Sequence, residues 1–225
     1  MLALRLERIG LDRLPGVNRF YADLCARPEL RIRFLGAAEW DTAALRDRAA
    51  QVRRPLRPLA DLRRQNAGVG PEVDAALERA ARPGVVLVVT GQQAGLLGGP
   101  AYTILKALTV VALVRLLRRE GLDAAGLFWV AAEDHDAAEV ATTTLFVPGT
   151  GLARLALPVV DDLPRPVAQR RLEDSVNAVL EQAAALLPAG THASVFQGWL
   201  QEAYRPGAGW GEAFRMWMQR LFAPL

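Results

Sequence analysis

VVLVVTGQQAGLLGGPAYTILK, Val85 to Lys106, changes the character of the chain. Val85 to Val89 is an unbroken run of valine and leucine, as expected of a parallel strand covered on both faces. A glycine-rich loop, TGQQAGLLGGP, follows, and Pro100 opens a helix that runs to about Arg119, proline being favoured at the first helical position. EGLDAAG ends that helix, and LFWVAA (Leu127 to Ala132) reads as a second buried strand. Strand, helix and strand in this order make a βαβ unit, so the fold class is α/β around a parallel sheet.

Outward from this unit the pattern is helical. Residues 1–82 hold four segments with apolar residues at helical spacing, separated by Pro or Gly, with Asp41 and Pro71 as helix starts. Downstream, TTTLFVPGTGLARLALP gives two short alternating segments around a Pro-Gly-Thr-Gly turn, a hairpin. Helices are expected near 170–187, 192–204 and 209–222. In the last, Trp210, Phe214, Trp217 and Leu221 form an apolar stripe that belongs in a core. The implied organisation is a helical segment at 1–82, the first part of the core at 83–142, a hairpin-and-helix insertion at 143–208, and a helix returning to the core at 209–225.

Composition narrows the function classes. The net charge is +3, but the basic residues are scattered without aromatic interleaving, which argues against nucleic acid. No apolar run reaches the ~20 residues of a membrane helix, and the N-terminus lacks a signal-peptide pattern. The expected compartment is the cytoplasm. Cys25, the one cysteine, excludes an intramolecular disulfide and reads as a small buried residue.

Two loops leave the carboxyl ends of the two strands, where open parallel sheets bind ligands. The first contains Thr90, Gly91, Gln92, Gln93, Gly95 and Gly99 and is neither a P-loop nor a G-x-G-x-x-G fingerprint. Its glycines allow close approach of a ligand to the backbone, and the following helix start favours an anion. Lys106 is the single lysine among 27 Lys and Arg residues, with Tyr102 and Thr103 at the spacing that shares its helix face. A compact ammonium there suits phosphate or carboxylate; the alternative is a solvated surface charge. The second loop, EDHD, sets Glu133, Asp134 and Asp136 around His135. An imidazole held by Asp134 or Asp136 is a general base or a metal ligand, and the alternative is a helix N-cap beside a solvated histidine.

Taken together, VVTGQQAGLLGGPAYTILKA followed by LFWVAAEDHD and EV resembles the bacillithiol biosynthesis cysteine-adding enzymes. The resemblance implies a Rossmann-like core akin to nucleotidylyltransferases, chains more than twice this length with a C-terminal coiled coil, and homodimers. It also implies the joining of cysteine to the amine of glucosaminyl-malate as an amide, with ATP or ADP as the candidate cofactor and no metal. Gln92 and Gln93 stand where nucleotidylyltransferases carry paired histidines, so adenylate activation does not follow from the motif. On residue chemistry, Lys106, Thr90 and the loop amides would hold an anionic group. His135 would accept the amine proton, and Gln92 and Gln93 would donate hydrogen bonds to the carbonyl oxygen. Two other readings stay open: a hydrolase binding Mn or Mg through Glu133, Asp134, His135 and Asp136, and a non-catalytic N-terminal half that needs a C-terminal part.

Overall fold

A computed structural model describes residues 8–39, 41–51, 59–159, 165–188, 190–223 and 225. The chain divides into two compact units, Met1–Arg53 and Arg54–Leu225. In the first, α1 (Arg19–Ala26) starts at Asn18, whose side chain accepts from the Phe20 amide at 2.8 Å. It packs on α2 (Pro28–Leu35) with Phe20 edge-on to Phe34 at 5.3 Å. Asp41 accepts from the Ala44 amide at the start of α3 (Thr42–Gln51), the cap its sequence announced. Cys25 is exposed rather than buried, because α1 is covered on too little of its surface to enclose it.

The second unit carries the βαβ element. After α4 (Leu59–Gln65) and α5 (Pro71–Ala80, proline in its first turn) comes β1 (Val86–Gln93). A 3-10 turn over Leu96–Gly98 leads to α6 (Tyr102–Arg119), and β2 (Ala124–Ala131) lies parallel to β1, Val86 beside Ala124 through Gln93 beside Ala131. Both strands depart from their expected bounds. Thr90, Gly91, Gln92 and Gln93 belong to β1, not to the loop, because eight consecutive pairings with β2 hold them extended. Gly126, read as part of the turn, lies inside β2, where a Cβ would come within 2.7 Å of Val110. Glycine there lets α6 settle close against the sheet.

The short helix α7 (Ala137–Val140) follows, then the expected hairpin, β3 (Thr142–Val147) antiparallel to β4 (Gly151–Ala156). Three helices close the unit: α8 (Ser175–Leu186), α9 (Thr191–Ala203) and α10 (Trp210–Phe222). Trp210, Phe214 and Trp217 are buried and Leu221 packs beside them, as the stripe required. Phe214 meets Phe128 of β2 at 6.3 Å and Trp217 stands edge-on to Phe196 at 4.7 Å, so α10 ties the sheet to the helical segment.

The parallel sheet has two strands among the described residues. Its expected cover is met by α6 on one face and in part by α5 on the other, where Ala80 packs with Ala125 and Leu87, while Val89 and Trp129 farther along that face are each 55% exposed. No helix of the described residues is long and apolar enough to cross a membrane.

Because Phe214 is fully enclosed and bridges sheet and helices, Phe214→Ala should lower the unfolding free energy by ~3–5 kcal/mol in urea titration. Leu152→Ala, on the 78% exposed tip of the hairpin, should change it by less than ~0.5 kcal/mol.

Candidate functional site

Lys106 sits one turn into α6, and its side chain runs back towards the start of the helix. Its Nζ donates to the Gly91 carbonyl at 3.1 Å and to Gln92 Oε1 at 2.9 Å, and lies 5.1 Å from the Tyr102 ring centroid. Gln92 Nε2 in turn donates to the Tyr102 hydroxyl at 3.3 Å, closing a small polar ring on the helix face. Tyr102 and Lys106 meet because residues four apart share a face. An ammonium has three N–H donors, and two are engaged here, which leaves one for a ligand. The flat, branched guanidinium of arginine could not enter the gap between Gly91 and Gln92 in the same way.

Gln93, the next residue, turns the opposite way, as alternation along a strand requires. Its Nε2 donates to Asp134 Oδ2 at 2.9 Å and to Glu139 Oε2 at 3.0 Å. Asp134 Oδ1 also accepts from the amides of His135 at 2.7 Å and Asp136 at 3.3 Å. These bonds, that from Gln93 first, hold the Asp134 carboxyl below the ordinary carboxylate range. Consecutive glutamines therefore tie the end of β1 to two elements: Gln92 to the lysine on α6, Gln93 to the acidic turn after β2.

The rest of EDHD differs from its reading as an extended segment. Asp136 is the N-cap of α7, accepting from the Glu139 amide at 2.9 Å, so it does not orient His135. The His135 ring is 72% exposed, with Nδ1 3.7 Å from Asp134 Oδ1, near but beyond a hydrogen bond. Glu133 accepts from the Trp129 indole at 3.3 Å. Glu139 was missing from the expected set. The Asp-x-x-Glu spacing from Asp136 is a capping-box signal for it, although its carboxylate reaches Gln93 instead of the backbone. Among the described residues no three His, Cys, Asp or Glu side chains are grouped so as to hold a metal ion, so the hydrolase reading has no geometric support there.

The glycine loop is packed against itself. A Cβ on Gly95 would lie 2.7 Å from the Gly99 Cα, and the Gly95, Gly98 and Gly99 amides bond carbonyls of Gln93, Gly95 and Leu96. Those amides are thus not directed outward at an anion. Thr90 is half-buried in β1 beside Phe128. Thr103 is fully buried against Gly99, so unlike the exposed Tyr102 it presents nothing at the mouth.

Comparison with known proteins gives a single family. Residues 30–224 match the family described as Bacillithiol biosynthesis BshC, N-terminal Rossmann-like domain. Proposed cysteine ligases named BshC are similar over most of the chain. That of Koribacter versatilis is 32% identical over 96% of this chain and 40% of its own, and that of Solibacter usitatus 36% identical over 93% and 39%. A third, from Symbiobacterium thermophilum, is 42% identical over 57% of this chain and 24% of its own. The chain spans about two fifths of the length of the first two relatives.

A depressed carboxyl held by Gln93 makes a direct prediction. In a carbon-detected NMR titration, Asp134 should protonate below ~3.9, the ordinary aspartate value, and Gln93→Leu should move its midpoint up. The sign follows from linkage: a lowered folded pKa contributes stability at neutral pH that is lost as pH falls through it. Acid should therefore loosen the turn at Asp134 to Asp136 first in the Gln93→Leu variant.

Proposed function

The chain belongs to the BshC family of bacillithiol biosynthesis, and from that premise we propose that it carries the cysteine-adding site of a ligase that forms an amide on the amine of glucosaminyl-malate. The observation that carries this reading is the glutamine pair. At the carboxyl ends of two parallel strands, Gln92 holds a cation and Gln93 holds the acidic turn that bears an exposed imidazole.

In this reading the free N–H of Lys106 takes an anionic group of a substrate or of the activated cysteine. The sugar nitrogen attacks the cysteine carbonyl carbon, a C–N bond forms, the activating group departs with its oxygen, and the nitrogen gives a proton to His135. The Asp134 carboxylate stands 3.7 Å from Nδ1 of that ring. Both amide hydrogens of Gln93 already have partners, so oxyanion donation from it requires a partner exchange when substrate arrives, whereas Gln92 Nε2 gives one of its two to Tyr102. A carboxylate oxygen is a poor leaving group, and ATP is the proposed source of activation; AMP or ADP formed in step with the amide would support that assignment.

The whole reaction is proposed for a protein of the family's full length. The exposed Val89 and Trp129 side of the sheet is the natural place for the remaining part to pack. The test joins this chain to the C-terminal part of the Koribacter versatilis relative and follows cysteine- and ATP-dependent amide formation. Lys106→Arg should lower kcat/KM at least ~10-fold, or about 1.4 kcal/mol of transition-state stabilisation. His135→Asn, which cannot accept the proton, should lower kcat at least ~10-fold while leaving KM little changed. Wild-type rates in both variants would contradict these roles.

A further inference from the structure

The turn between β1 and α6 is strained and deeply set. Leu97, Gly98 and Gly99 have successive φ values of 52°, 95° and 69°, and Leu97 is the one non-glycine residue with positive φ among the described residues. A left-handed leucine crowds its Cβ against the following carbonyl oxygen, so something must hold it. The hydroxyl of Tyr204, just past the end of α9, does so from both sides. It accepts from the Gly98 amide at 3.0 Å and donates to the Gly95 carbonyl at 3.2 Å. Tyr204 is fully buried, and burial pushes its phenol well above the ordinary range, which keeps the proton needed for the second bond. Trp217 lies against the same glycine, where a Cβ would come within 2.5 Å of its indole nitrogen.

This turn fixes a distance that the candidate site depends on. Gln92 and Gln93 end β1 immediately before it, and Tyr102 and Lys106 begin α6 immediately after it. Any relaxation of Gly95–Gly99 changes how Lys106 meets Gly91 and Gln92. We infer that Tyr204 is a positioning residue for this site, its hydroxyl setting Lys106 against Gln92 by clamping the turn between them. The inference rests on the reading of Lys106 and the glutamines as the substrate site.

Tyr204→Phe removes the hydroxyl and keeps the ring. Val179→Ala, a buried change in α8 away from the turn, serves as a control for lost stability alone. In the 225-residue chain, Tyr204→Phe should speed hydrogen exchange of the Gly98 amide at least ~10-fold relative to the control. It should also move the NMR signal of Lys106 Nζ, which is readable alone because the chain has one lysine. In the joined protein, kcat should fall at least ~10-fold with KM changed much less, a split that Val179→Ala does not show. Unchanged Gly98 exchange and an unmoved Lys106 signal in Tyr204→Phe would overturn the inference, as would a kcat equal to that of the control. Absence of cysteine-dependent turnover in the wild-type protein would instead overturn the proposed reaction, while the exchange and Lys106 measurements still decide the role of Tyr204.

Discussion

The arrangement at the mouth depends on β1 staying extended through Gln93. Pairing with Phe128, Trp129, Val130 and Ala131 carries the strand four residues past Val89, where its apolar run stops. The period of two then does the rest. Gln92 and Gln93 must leave the strand in opposite directions, one towards α6 and the other towards the turn after β2. A glutamine is suited to both tasks, because its amide can accept from an ammonium through oxygen and donate to carboxylates through nitrogen. A strand that frayed at Thr90 would leave Lys106 and Asp134 without a common scaffold.

That strand end is itself supported from far away in sequence. The turn after it is gripped by Tyr204 and Trp217, more than a hundred residues downstream, and α10 presses Phe214 on Phe128 of β2. The helices α9 and α10 therefore do more than fill a core. They join the hairpin-side segment to the backbone that positions the candidate site. The family match likewise extends to residue 224, past the end of α10.

Much of this was legible in the sequence where pattern and packing agree. The βαβ order, the hairpin, and the Trp210–Phe214–Trp217 stripe follow from periodicity, and the lone lysine falls on the helix after the glycine loop, as its position implies. The end of β1 was hidden because glycine and glutamine have weak strand preference, and only pairing with β2 overrides that. Asp136 looked like a partner for His135, yet a carboxylate at a helix start is drawn to the free amides there, and this competition is invisible in a four-residue cluster. Thr103 shares helical spacing with Lys106, but the self-packed glycine loop encloses it. Tyr204 gave no local signal, since its value lies in a contact of long sequence separation.

Gln92 and Gln93 join the start of α6 and the acidic turn after β2 into one candidate site. The most direct measurement is a titration of the protein with the proposed substrates, cysteine and glucosaminyl-malate, followed through the side-chain amide signals of both glutamines in ¹⁵N NMR. The account predicts that both signals move together, along one saturation curve, as ligand at Lys106 and at the acidic turn perturbs their partners. If one amide responds while the other stays fixed at saturation, or neither moves, the start of α6 and the acidic turn do not form a single site.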